Sequence, residues 1–360
     1  MSDIEPIELF VPGRLCLFGE HTDWAAQFGR HRGLCLVIGT DQGLHARVRA
    51  SDQFILAANL SSRRRAGEPA GQQGIQNRHK RLAWNKDALL EAAGDADDFF
   101  RYCAGVASEM ISLPGVSGGV EITISSVDLP LRKGVASSAA VCILVARAFD
   151  AVYELGLFPH ELMELAYRGE RLTGSQCGRM DQACIYGKTP VLLIFDGPDQ
   201  CRVEPVFPRD FIHLFLVDLA GQKDTVRILS DLQAAYPHSD RLQKALGSEN
   251  ERIVRRAHHA LEMADAALLG ALMKEAQEVF DSQVAPHSPE QLTSPLLHEI
   301  LSMEALRPHV YGGKGAGSQG DGTAQFVARS QGDRDAAMQV LARRHPEMTP
   351  FPLTIPALAQ

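Results

Sequence analysis

Several things are missing from this chain, and each absence removes a class of protein. No apolar stretch reaches the ~18 residues that a bilayer-spanning helix requires. Cysteines are few and scattered, at 16, 35, 103, 142, 177, 184 and 201, an odd number with no C-x-x-C pair. That spacing argues against a disulfide framework, so buried thiols in a reducing, cytoplasmic setting are expected. Positive charge is not in excess: the formal net charge is -8, which argues against a nucleic-acid partner. A phosphorylated substrate stays open, because local loops rather than net charge bind phosphate. No G-x-x-x-x-G-K-[ST] loop occurs, so the P-loop fold is excluded. The segment MSDIEPIELF is acidic and has no apolar core of the kind a secretory signal carries.

What is present is an ordinary globular composition. The chain has 360 residues, 45% hydrophobic and 22% charged, enough for two domains with real cores. Strands are expected at 7–11, 15–18, 33–38, 44–48, 120–124, 191–195 and 212–217, and helices at 99–112, 139–153 and 159–172. Residues 240–280 read as helical, and a Pro/Ser-rich connector at 285–295 leads to a further helix. The polar stretch 61–81, rich in Arg, Gly and Gln, reads as a surface loop. A domain boundary is expected near 197–210, giving domains of residues 1–200 and 201–360.

Four stretches carry chemistry. GRLCLFGEHTDW at 13–24 is an apolar run that stops at a glycine and delivers Glu20, His21 and Asp23 within four residues. A plain surface turn is the simple explanation; a site gripping hydroxyls is the specific one. A metal site suits the spacing less well, because neighbouring residues on an extended chain point to opposite sides. PLRKGVASSAA at 130–140 places Gly134, Ser137 and Ser138 before an Ala-rich helix. The unpaired amides and dipole of a helix start favour an anion, although a serine N-cap would use the same residues. GERLTGSQCGRMDQACIYG at 169–187 carries Asp181 after a Gly/Ser/Cys turn. GGKGAGSQGDG at 312–322 satisfies G-x-G-x-x-G, but the residues after it read as a strand, so a dinucleotide fold is not expected.

Taken in this order, the four stretches resemble the motifs of the GHMP kinases, the family of galactokinase, homoserine kinase, mevalonate kinase and phosphomevalonate kinase. GRLCLFGEHTDW is similar to the first signature of the galactokinase-type members, LPLRKGVASSAA to the phosphate loop, CGRMDQ to the catalytic-aspartate segment and GGKGAGSQGDG to the third glycine motif. The sequence departs from the pattern at Trp24, Val135, Ala136, Gln319 and Asp321. The resemblance implies an α+β fold of two domains, a mixed α/β N-terminal one and a ferredoxin-like C-terminal one. It further implies ATP and Mg²⁺ as phosphate donor and cofactor, and a small sugar as acceptor. By the same resemblance Asp181 and Arg14 are catalytic, with Arg14 near the aspartate, and Glu20, His21 and Asp23 hold sugar hydroxyls. Lys133, Gly134, Val135, Ala136, Ser137, Ser138 and Ala139 bind the ATP phosphates, and Gly315, Ala316 and Gly317 form the third motif. Ser138 would also hold Mg²⁺. The family's second metal ligand, a Glu, falls at Gly169, and Glu170 is one residue late. The implied reaction is phosphoryl transfer to a sugar hydroxyl, the anomeric one giving a sugar 1-phosphate. A mevalonate-type kinase and a non-catalytic sugar and ATP sensor of the same fold are the alternatives; Arg14, Asp181, Ser137 and Ser138, all present, favour the enzyme.

Overall fold

The computed structural model describes residues 5–58, 79–128, 137–197 and 200–358. In chain order the elements are β1 (Ile7–Phe18), α1 (Thr22–Ala25), β2 (Gly33–Ser51), β3 (Gln53–Ala58), β4 (His79–Ala83), α2 (Lys86–Ala93), α3 (Arg101–Met110), β5 (Gly119–Val127), α4 (Ser137–Tyr153) and α5 (Pro159–Arg171). There follow β6 (Val191–Phe195), β7 (Cys201–Pro205), β8 (Ile212–Asp218), α6 (Thr225–Ala235), α7 (Asp240–Lys244), α8 (Asn250–Glu262), α9 (Ala266–Val279), α10 (Pro289–Leu292) and α11 (Pro295–Ser302). The chain closes with β9 (Val310–Gly315), β10 (Thr323–Ala328), α12 (Gln331–Arg344) and β11 (Thr349–Ile355). Lys133, Gly134, Val135 and Ala136 of the expected phosphate loop, and 61–78 of the polar stretch, lie outside the described residues. All seven cysteines are free thiols.

The chain does not divide at one point near residue 200. One compact unit is built from 5–13, 42–58, 79–128 and 137–185, the other from 14–41, 186–197 and 200–358. Two strands explain the interleaving. β1 runs unbroken through Pro12-Gly13, and β2 runs unbroken over 19 residues, where the sequence suggested a break in each. The glycines inside β2 mark close approaches rather than ends. A Cβ on Gly39 would lie 2.4 Å from the Gly187 carbonyl oxygen, and one on Gly43 would lie 2.4 Å from that of Val11.

In the first unit the later half of β2 pairs antiparallel with β5, from Leu44 opposite Val127 to Ser51 opposite Gly119. β5 runs parallel to β3, and β3 antiparallel to β4. α4 is buried almost throughout, Ala139 to Ala146 without exception, as expected of an Ala-rich helix at the centre of a domain. α3 and α5 cross at glycine: a Cβ on Gly105 would lie 2.2 Å from the Gly169 oxygen, and one on Gly169 would lie 2.5 Å from the Val106 Cα.

In the second unit the first half of β2 pairs antiparallel with β6, and β6 with β7. A separate antiparallel sheet has the order β11-β8-β10-β9. Helices link β8 to β9, and α12 links β10 to β11, the ferredoxin-like arrangement expected for this part of the chain. Both faces of this sheet are covered. Leu214 and Leu216 of β8 join one core with Leu15, Leu17, Ile253 and Leu272. Phe215 and Val217 point the other way and join Leu297, Ile300, Phe326 and Leu341. Burial on both faces explains why β8 reads as a continuous apolar run rather than an alternating one.

Candidate active site

Of the residues expected to face the phosphates, Ser137, Ser138 and Ala139 lie in the first unit, with Glu170 and Asp181. Ser138 lies in the first turn of α4, and its hydroxyl donates to Glu170 Oε1 at 3.0 Å. Gln182 Nε2 donates to the other carboxylate oxygen at 2.7 Å. Glu170 is fully buried, and its carboxyl is pushed up to about 7, first by burial and then by the negative charge of Asp181. The departure at Gly169 thereby has a physical reason. Position 169 faces α3 at a crossing too tight for any side chain, while Glu170, one residue or about 100° further round the helix, faces Ser138. Asp181 opens a 3₁₀ turn, Asp181–Tyr186. The segment before it is pinned by Arg179, whose Nε donates to Glu164 at 2.8 Å and whose guanidinium lies 4.2 Å from the centre of the Tyr167 ring. Ala139 is buried in α4 behind Ser138.

Arg14 and the residues expected to hold the acceptor, Glu20, His21 and Asp23, lie in the second unit. Arg14 is buried on β1. After Phe18 the chain turns sharply, with φ of +94° at Gly19 and +68° at His21. A Cβ at Gly19 would meet the Leu34 oxygen at 2.1 Å, so only glycine fits there. Glu20, His21 and Asp23 are all buried, so they do not form a solvated surface turn. Nor are they on extended chain as expected: they sit on this turn and on α1, because Thr22 turns the chain by bonding its hydroxyl to the Gly19 and Leu34 carbonyls at 2.8 and 3.1 Å.

His21 accepts at Nδ1 from the Trp24 indole, 3.1 Å away, which puts its own proton on Nε2. Burial, with Lys223, Lys314 and Arg14 as further cations, lowers its pKa to about 4, so the ring is neutral near pH 7. The Ser318 backbone lies beside the ring, but Nε2 is buried without a well-formed hydrogen bond. Trp24 is itself wedged into an aromatic cluster, 5.6 Å from Tyr236 and 6.3 Å from Phe28 between ring centres.

The third glycine motif is the β9–β10 turn. Lys223 Nζ donates to the Gln319 carbonyl at 2.8 Å, and the Gly315 amide donates to Gln277 Oε1 at 2.8 Å. Ala316 is buried, and Gly317 takes φ +65°. Asp321 accepts from the Leu297 amide at 2.9 Å, at the start of α11. Two residues that sequence reasoning passed over are central. Lys314, buried in this motif, pairs with Glu20. Gln182 completes the Glu170 cluster. The signal for Lys314 was a lysine set among glycines at the end of a buried strand, which demands a partner.

Comparison with known proteins bears on the fold and on what the chain is similar to. Residues 99–188, which include Ser138, Glu170 and Asp181, match the GHMP kinases N terminal domain. The galactokinase of Chloroflexus aurantiacus is 25% identical over 371 residues, 92% of this chain and 86% of that protein. Among solved structures, Lactococcus lactis galactokinase complexed with galactose superposes with a TM-score of 0.71 at 17% identity, over 100% of this chain and 95% of that one. The L. major mevalonate kinase in complex with R-mevalonate gives 0.70 at 18%, over 100% and 99%. These two structures speak for the fold. Residues 99–188 thus carry a GHMP kinases N terminal domain, and the chain as a whole is galactokinase-like in sequence and shares the two-domain fold of the GHMP kinases.

Proposed function

We propose that the protein transfers the γ-phosphate of ATP to a hydroxyl of a monosaccharide, the anomeric hydroxyl, giving a sugar 1-phosphate. The observation that carries this reading is the cluster of half-buried Ser138 with buried Glu170 and Gln182, beside Asp181, in a chain similar to a galactokinase over 92% of its length. The donor set fits a magnesium ion. A serine hydroxyl and a carboxylate are hard oxygen ligands, and a carboxyl raised to about 7 marks a place short of positive charge. Among the described residues no group of three His, Cys, Asp or Glu could hold a metal, so substrate phosphates would supply the remaining ligands. Ser138 and Glu170 would hold the ion, and bound there it neutralises phosphate charge.

The protein's own groups perform the rest. Asp181 accepts the proton of the attacking hydroxyl, or orients that hydroxyl, as its oxygen bonds to the γ-phosphorus and the bond to the β-phosphate oxygen breaks. Arg14 offsets charge developing in the transition state. His21 offers its Nε2 proton to a sugar oxygen, and Asp23 accepts from sugar hydroxyls. Residues 133–139 serve the nucleotide phosphates, as the family resemblance implies, and Gly315, Ala316 and Gly317 form the third glycine motif. The neutrality of His21 suits a hydroxyl array.

A coupled ADP-release assay over a panel of hexoses, pentoses and uronic acids, with mevalonate included, tests the reading. Turnover on one sugar is expected, and Asp181→Asn should cut it ~10²–10⁴-fold with sugar binding retained. Turnover on mevalonate alone, or on nothing, would overturn the assignment.

A further inference from the structure

The turn that carries His21 and Asp23 is anchored from the far end of the sequence. Glu20 and Lys314, 294 residues apart, form an ion pair whose side chains are 5% and 1% exposed. Burying two charges is costly unless each is paired and its remaining hydrogen-bonding capacity is used. Lys314 meets that condition: its ammonium also donates to the Gly315 carbonyl at 2.9 Å. The same carbonyl accepts from Gln325 Nε2 at 3.3 Å, and Gln325 donates to the Cys16 carbonyl at 2.9 Å. The end of β1 and the end of β9 are thus fastened twice, once through Gln325 and once through the ion pair.

Glu20 sits between two residues with positive φ, Gly19 and His21. Its side chain is the tether that turns inward from that bend, and His21, Thr22, Asp23 and Trp24 follow directly. A carboxylate committed to a buried ammonium is poorly placed to accept sugar hydroxyls as well.

We propose that Lys314 is a positioning residue, acting through Glu20 to set the attitude of the acceptor loop, and that Glu20 serves this internal pair rather than the sugar. The proposal rests on the reading of that loop as the acceptor site, and it reverses the role the family resemblance gives Glu20.

The test is a cycle of Lys314→Met, Glu20→Gln and the double variant Glu20→Met with Lys314→Met, read in two ways. The first readout is kinetic. Each single variant should lower kcat/KM for the sugar by ~30-fold with the KM for ATP within ~2-fold, while the double variant, with an apolar pair in place of the ionic one, should return to within ~5-fold of wild type. The second needs no substrate. The only two tryptophans are Trp24 and Trp84, so ¹⁵N-indole labelling gives two resonances. The Trp24 N–H, bonded to His21, should shift in each single variant and return in the double variant, a change that lost stability alone would not produce. Should Lys314→Met fail to fold, Glu20→Gln and the double variant carry the comparison. A Trp24 resonance unmoved in the single variants would overturn the positioning role. A double variant with the sugar KM still as high as in Glu20→Gln would show that Glu20 touches the sugar. Should wild type phosphorylate no sugar, the acceptor reading falls, and the indole shifts alone decide the positioning claim.

Discussion

His21 is held at φ +68°, with its ring buried and one nitrogen engaged by Trp24. Its pKa in the folded chain is lowered to about 4, chiefly by burial. An unfolded histidine titrates near ~6.5, so between those values the unfolded chain takes up a proton that the native one refuses. The stability His21 contributes is therefore complete above about pH 6.5 and is lost as pH falls toward 4, on the order of 3 kcal/mol at most. Glu170 works in the opposite sense. Its carboxyl is pushed up to about 7, so its contribution is present in acid, below the ordinary carboxyl pKa, and is lost as pH rises through 7. The two trends oppose each other in a simple melting profile and are separated by difference. Asparagine tolerates a left-handed backbone, so His21→Asn should fold. The gap in melting temperature between wild type and His21→Asn should narrow steadily from pH 7.5 to pH 5. Parallel profiles would show that His21 is not buried in its neutral form.

Between elements, the crossing of α3 and α5 decides where the carboxylate of the phosphate-side cluster points. A Cβ at Gly169 would lie 2.5 Å from the Val106 Cα, a backbone atom that cannot step aside. Gly169→Ala should therefore cost about 1–3 kcal/mol, the range for forcing extra carbon into a close-packed contact, and should shift Glu170 away from Ser138. Thermal melting and ATP turnover should fall together; a variant of unchanged stability would mean that the crossing is looser than drawn. This element also marks a limit of sequence reading. Motif spacing placed the carboxylate at 169, and only the helical phase of α5 shows that 170 is the residue facing Ser138. α5 was legible because it buries a regular face, and α3, α4, β6 and β8 because each is apolar and buried over most of its length. α12 was not, because its sequence QGDRDAAMQVLARR is largely polar. β11 hid behind Pro350 and Pro352, which an edge strand tolerates where a central strand would not. Glu20, His21 and Asp23 were legible as a cluster, but the partner of Glu20 was not, since nothing local relates residue 20 to residue 314.

Across the whole molecule, a net charge of -8 sets a general repulsion against a polyanion such as ATP. Long-range steering is thus unavailable, and affinity for the nucleotide and its metal must come from short-range contacts. On the proposed reading the Ser138–Glu170 pair would be such a contact: the Glu170 carboxyl is buried, so salt screens it little, and it must be ionised to act as a ligand. Metal uptake there should release a proton where Glu170 is still partly protonated, near and below pH 7, and release less at pH 8.5. Ser138→Ala removes one hard oxygen and leaves the charge; Glu170→Gln removes the charge and leaves the shape. With ATP fixed, the Mg²⁺ needed for half-maximal turnover should rise ~10-fold in Ser138→Ala, the effect of losing ~1.5 kcal/mol of interaction with a charged group. It should rise further in Glu170→Gln, which should also lose the proton release. Melting curves would establish that both variants are folded. A normal Mg²⁺ titration in Ser138→Ala would reduce that hydroxyl to a helix cap, and proton release undiminished in Glu170→Gln would move the metal away from this carboxylate altogether.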